Sequence, residues 1–350
     1  MSSSSFVVAL AAARDATSAG GKGASLGELA RIGIAVPPGF VVTASAFAES
    51  LAALDPDGAL RAGIEALPAG SLDEIGRAAA AFRARVAAAP LPAALATAIE
   101  SAYASLGAGA DVAVRSSATM EDSAEASFAG LQDTYLGVRG AAPVLDHVRH
   151  CWASLYNDSS VAYRRRLGMP EAGVAMAVVV QRMVRPRAAG VMFTRSPVTG
   201  DRSVVAIEGT WGLGSALVSG DVTPDSFVIS KITGEITGRR VSAKERLHTF
   251  IPNGPGVTVS DTPASQREAP CLTDGEIRAL ADAGRRAEAH YGAPQDIEWA
   301  ILDGDSAAAG RVVLLQSRPE TVWAARAAAP AGAPKPRPAD HVLALFGKRL

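Results

Sequence analysis

Three features of the 350-residue chain predict an α+β fold. Residues 174–184 (VAMAVVVQRMV) form a near-continuous β-branched run, the pattern of a strand buried on both faces. Residues 60–106 are alanine-rich with a helical period, broken near Pro90 and Pro92. Residues 221–241 alternate apolar and polar side chains around Thr233-Gly234, which signals a hairpin. A chain of this length holds about two domains of ordinary size, each with its own core. An Ala/Pro-rich linker and short tail are expected over 324–350.

Composition narrows the function classes. A hydrophobic content of 48% with 20% charged residues marks a globular chain. A net charge of −1 supplies no sustained basic field, which argues against a general binder of nucleic acid or anionic membrane. The one basic run, Tyr163-Arg164-Arg165-Arg166, reads as a solvated helix end. Cys151 and Cys271 are far apart and lack metal-ligand spacing, so a reduced, cytoplasmic setting is expected. Residues 6–13 are apolar, but residues 1–5 lack the basic side chain of a secretory leader, and 6–10 is expected to be a first strand. No apolar run approaches the length that spans a bilayer.

Taken in order, the first strand leads into residues 20–29 (GGKGASLGEL). The glycines permit close backbone approach to a ligand, and apolar spacing from Leu26 onward predicts a helix start. Lys22 in such a loop suits phosphate oxygens, although a plain helix cap uses the same residues, and the Walker pattern is absent. Residues 36–42 read as a rigid turn into a strand, with Thr43 capping a helix over 44–54. Residues 112–114 form a short strand expected to break at Arg115, whose guanidinium then projects into a cleft. The small and hydroxylated residues that follow, through Thr134, describe a mobile lid or a solvated loop. A strand over 135–138 and a helix over 142–167 come next; His147 and His150 could be catalytic, but their helical spacing beside apolar residues points to structural or surface roles.

The run 174–184 turns polar at Gln181 and Arg182 before Met183, so its end could offer a free backbone edge to an adenine ring or simply reach the surface. Residues 189–194 and 203–208 read as a strand pair, and 211–217 (WGLGSAL) as a glycine turn opening into a helix without the full dinucleotide fingerprint. Thr273 caps an amphipathic helix running to about Tyr291. In the strands that close the chain, the period of two puts Asp296 and Glu298 on one face, and likewise Gln316 and Arg318. If these strands are neighbours, two carboxylates, an amide oxygen and a guanidinium converge. Such oxygens suit Mg²⁺ and the arginine suits a phosphate, while a surface ion pair between Glu298 and Arg318 is the simpler alternative.

Six motifs, GGKGASLGEL, VAVRSSATMEDSAEASFAG, GVMFTRSPVTG, WGLGSALVSG, DIEW and LLQSRPET, stand in the order found in one family. The chain resembles, over residues 6–322, the ATP-grasp nucleotide-binding domain of the phosphoenolpyruvate synthase family, shared with rifampin phosphotransferase and pyruvate phosphate dikinase. The resemblance implies an ATP-grasp fold, two α/β lobes over 1–184 and 185–323 clamping ATP. It implies that Lys22 and Arg115 hold ATP phosphates, that Gly130 and Thr134 belong to the covering lid, and that Gln181 and Met183 lie at the adenine hinge. It further implies that Glu298 and Gln316 hold Mg²⁺, with Asp296 assisting and Arg318 near the phosphates.

In that family ATP is split to AMP and phosphate, and the β-phosphoryl group passes to a histidine on a separate swivelling domain. The five histidines here (147, 150, 248, 290, 341) lack a phosphohistidine context, so the acceptor histidine is expected on a partner protein that phosphorylates a small molecule. The tail over 340–350 is amphipathic and could dock that partner. Alternatives are an ATP-sensing module without transfer, or the nucleotide half of a divided rifampin-type or phenylphosphate synthase-type phosphotransferase.

Overall fold

Two large antiparallel sheets organise the described residues beside two two-stranded pairings, and the crossover between the large sheets follows Arg182. The first has five strands in the order Val7–Ala9, Gly39–Val42, Met176–Arg182, Val112–Ala118, Thr134–Val138. The second has six, in the order Ile236–Arg240, Asp225–Ser230, Val204–Trp211, Pro186–Phe193, Gln295–Leu302, Val312–Pro319. This computed structural model describes residues 5–68, 71–119, 122–123, 126–127, 133–166, 168–304, 308–321 and 323. Gly130 and the linker and tail over 324–350 lie outside the described residues.

Met176–Arg182 is central in its sheet, and its side chains divide between two cores. Met176, Val178 and Val180 join a core with Phe47, Ile99 and Trp152 from the helices Ala44–Leu54, Ala93–Ser105 and Ala141–Ser154. Ala177 and Val179 face the helix Ala16–Arg31 and a second core, which continues through Leu26 and Leu29 to Met192, Ile207, Trp299 and Leu314 of the second sheet. A strand with apolar layers on both sides needs no polar face, which accounts for the unbroken apolar run. Ser25 Oγ donates to the Ser317 carbonyl at 2.6 Å and the Leu314 amide donates to the Ala35 carbonyl at 2.9 Å, so hydrogen bonds join the two halves as well.

The hairpin expected over 221–241 is present, Asp225–Ser230 pairing with Ile236–Arg240 around Gly234 at φ 72°. The helix Asp274–Tyr291 has a full capping box, with Thr273 Oγ1 accepting from the Glu276 amide and Glu276 returning a bond to Thr273 N. No helix among the described residues is long and apolar enough to cross a membrane.

Four local expectations are corrected. The strand at Arg115 does not stop there but runs Val112–Ala118 with all seven residues buried. Pairing on both edges supplies a backbone partner at each position, and Ser116 and Ser117 satisfy their hydroxyls on the Asp133 and Ala19 carbonyls. The helix expected from Leu26 begins at Ala16, capped by Asp15, and is interrupted at Gly20 (φ 69°, ψ 169°). The helix expected over 142–167 is two helices, Ala141–Ser154 and Asp158–Arg166, separated at Asn157, whose carbonyl accepts from the Val161 amide. Finally, Arg164 is no solvated helix end: it is fully buried, bonded through two nitrogens to Glu171 at 3.1 and 2.8 Å.

Candidate functional site

Alternation along Val112–Ala118 places Ala113, Arg115 and Ser117 on one face, the face shared by Val179 and Gln181 on the neighbouring strand. That face looks toward the second sheet, and Arg115 crosses to it. On the other side Glu298 and Gln316 are direct cross-strand partners, as are Asp296 and Arg318.

The register shifts immediately after Glu298, because Trp299 pairs with Leu314 and Leu315 is left without a partner. A β-bulge of this kind frees a backbone group from the ladder. The Leu315 carbonyl is used at once, accepting from Arg115 Nη1 at 2.9 Å. Arg115 Nη2 donates to Gln316 Oε1 at 2.6 Å and to Glu298 Oε2 at 2.8 Å. Arg115 is 9% exposed, so these charge-assisted bonds lie largely out of water. Its Nε is buried without a hydrogen-bond partner, which leaves one donor direction of the guanidinium unused.

The simpler alternative for Arg318, an ion pair with Glu298, is not the pairing found. Arg318 donates through Nε and Nη2 to Asp296 Oδ2 at 2.8 and 2.7 Å. Burial raises the Asp296 carboxyl above its ordinary range, Arg318 pulls it back, and the charges of Glu298 and Glu320 push it up again.

A cleft of about 410 Å³ opens beside this cluster, a size that suits a small-molecule ligand. Of the residues singled out in the sequence, Arg115, Thr134, Gln181, Met183 and Glu298 line it. Gln316 joins them through Arg115. Lys22, Asp296 and Arg318 are not among the lining residues, and Gly130 lies outside the described residues. Lys22 is half-buried and follows the helix break at Gly20; its neighbour Gly23 donates to Ser117 Oγ at 3.2 Å. At Gly20 a Cβ would meet the Ser117 carbonyl at 2.1 Å, so glycine is required where this turn rests on the Arg115 strand.

The expected free backbone edge after Gln181 is a further correction. The Arg182 amide donates to the Pro38 carbonyl and the Met183 amide to the Asp111 carbonyl, both at 2.8 Å. Met183 Sδ accepts from the Gly137 amide, and Gln181 Nε2 donates to the Pro37 carbonyl at 3.3 Å. A central strand has neighbours on both sides, so those two amides are not available to a ligand.

The sequence reading missed Glu208. It stands opposite Val191, which stands opposite Glu298, so Gln316, Glu298, Val191 and Glu208 form one row across the second sheet. Its signal was a single acid in the otherwise apolar strand Val204–Trp211. Burial raises the Glu208 carboxyl above its ordinary 4.5. A carboxyl raised in the folded state costs stability once both states are ionised, and that cost disappears as pH falls below the unfolded value. Glu208→Gln should therefore be more stable than the parent to urea at pH 7, and the gain should vanish below about pH 4. A gain that persists or grows in acid would contradict this account.

The chain belongs to the pyruvate phosphate dikinase, AMP/ATP-binding domain family, which matches residues 16–337. It is 46% identical over 309 residues to a probable phosphoenolpyruvate synthase of Methanothermobacter thermautotrophicus, covering 87% of this chain and 44% of that protein. It is 46% identical over 306 residues to a rifampicin phosphotransferase of Streptomyces sp, covering 86% of this chain and 34% of that protein. Over 305 residues it is 43% identical to the prodigiosin synthesizing transferase PigC of Serratia marcescens, covering 87% of this chain and 32% of that protein. The chain thus spans less than half the length of each of these relatives.

Proposed function

We propose that the chain binds ATP with Mg²⁺ in the cleft between its two sheets, as an ATP-grasp unit whose lobes are 1–184 and 185–323. We further propose that it passes the β-phosphoryl group to a histidine on a partner protein, releasing AMP and phosphate, and that the partner phosphorylates a small acceptor. The observation that carries this reading is the convergence of Arg115, Glu298 and Gln316 at one end of the cleft.

A carboxylate oxygen and an amide oxygen aimed at one cationic nitrogen are a hard-oxygen donor set, which fits Mg²⁺. When bound, the ion would neutralise phosphate charge. Arg115 has a planar fork that matches phosphate oxygens. Lys22 and Arg318 would add positive charge along the triphosphate, with Asp296 holding Arg318 in place. Gln181 and Met183 would bracket the base and Thr134 would sit under the covering segment. Phosphoryl transfer needs positioning and charge stabilisation rather than a covalent group from this chain.

Three of the four described histidines contact neighbouring side chains, which favours an acceptor histidine elsewhere. His147 stacks on Tyr135 at 4.3 Å, His248 bonds Ser215 and Asp221, and His290 bonds Glu28. A second reading, the nucleotide unit of an antibiotic phosphotransferase, is favoured by the 46% identity to the Streptomyces protein. Incubation with Mg-ATP, with and without the products of neighbouring genes, tests the proposal through the nucleotide released. AMP together with a phosphorylated partner histidine is expected; ADP alone, or turnover indifferent to any partner, overturns it.

A further inference from the structure

A hydrogen-bonded chain of three side chains stands at the cleft wall, apart from the arginine cluster. Ser215 lines the cleft, and its Oγ lies 2.9 Å from His248 Nδ1. His248 Nε2 lies 3.0 Å from Asp221 Oδ2, which also accepts from Ser219 Oγ at 2.6 Å. His248 is only 8% exposed, and its carbonyl accepts from the Leu213 amide. The strand Arg246–Phe250 is thereby docked against the glycine turn, and Gly212 (φ 70°) is needed there because a Cβ would meet the His248 carbonyl at 2.5 Å.

The polarity of the chain follows from its end. A carboxylate only accepts, so His248 Nε2 carries the proton, and in the neutral ring Nδ1 is then the acceptor. In that tautomer the Ser215 hydroxyl donates its single hydrogen to Nδ1. What remains of Ser215 Oγ for the cleft is lone pairs, so the wall here selects a hydrogen-bond donor.

Its place along the cleft identifies the donor. Gly214 lies over Ala189 and Gly190, and Ala189 is two residues from Val191, the partner of Glu298. Two strand residues span about 7 Å, so the glycine turn that leads into Ser215 meets this strand within roughly 3–7 Å of the partner of Glu298. Gln181 and Met183 line the same cleft from the other sheet. Resting on the ATP reading above, we propose that Ser215, positioned by His248 and Asp221, is a specificity residue that accepts a hydrogen bond from a ribose hydroxyl of the bound nucleotide.

Calorimetric titration of the full chain with Mg-ATP, with 2′,3′-dideoxy-ATP and with purine riboside triphosphate tests this. The parent should prefer ATP over the dideoxy nucleotide by about tenfold, the upper range for one neutral hydrogen bond. Ser215→Ala should bring ATP down to the dideoxy level while dideoxy binding stays within about twofold, which also shows that the variant is folded. His248→Leu, which frees the serine hydroxyl to turn, should shrink the same ratio. An unchanged ratio, or equal losses for both nucleotides, overturns the proposal. Loss of discrimination only against purine riboside triphosphate places the contact at the base amine and overturns the ribose assignment. If the parent binds no ATP, the ATP reading fails with it; if ATP binds and the ratio does not move, this inference fails alone.

Discussion

Arg115→Ala should lower ATP-dependent turnover by at least about tenfold, and by up to about 150-fold. Those limits correspond to the roughly 1.5–3 kcal/mol that a hydrogen bond to a charged group contributes. Arg115 spans from the first sheet to three acceptors on the second, the Leu315 carbonyl, Gln316 Oε1 and Glu298 Oε2. Alanine removes the donor to all of them at once. Glu298 keeps access to water, with 34% of its side chain exposed, whereas Gln316 is 7% exposed and loses a buried partner. Part of the effect is therefore a loosening of the two sheets, and part, on the proposed ATP reading, is a lost phosphate contact. Arg115→Lys separates the two, since one ammonium restores charge but not the fork that meets three acceptors. The lysine variant should recover ATP binding more than turnover. A change in turnover below about tenfold for the alanine variant would remove Arg115 from the phosphate-binding set.

Much of the architecture was legible because it rests on local rules. The run through Val178, Val179 and Val180 reads as a strand covered on both faces, and it is one. The helix capped by Thr273 follows from a capping box, whose partners are three residues apart. Period-two spacing put Asp296 with Glu298 and Gln316 with Arg318, and neighbouring strands did the rest. The identity of the partners was not legible, because it depends on a one-residue bulge at Leu315 and on an arginine 183 positions away in sequence from Glu298. The continued strand at Ser116 and Ser117 was hidden for a related reason. Their propensity is weak, and the pairing that overrides it comes from Val178 and Ala177 on a remote segment. Ser215 and His248 could not be joined from sequence either, since nothing local relates a glycine turn to a strand 33 residues on.

The same limit makes Arg164 the sharpest test of stability. A basic run at a helix end ordinarily faces water, and an exposed arginine can be replaced at a cost within about 0.5 kcal/mol. The structure places Arg164 elsewhere: its side chain is 1% exposed and that of Glu171 is 0% exposed. Its Nη1 donates to the Leu155 carbonyl at 2.7 Å, while Nε and Nη2 hold the two oxygens of Glu171. Arg164→Met keeps most of the volume but strands a buried carboxylate and a carbonyl, a loss of about 3–5 kcal/mol for breaking a buried pair from one side. Replacing both partners, Arg164→Met with Glu171→Leu, should return most of that loss, because no charge is then left uncompensated. Arg166, two residues along the same helix, is exposed, and Arg166→Met should leave the urea midpoint nearly unchanged. Equal midpoints for the variants at 164 and 166 would return the whole run to solvent and overturn the buried pair.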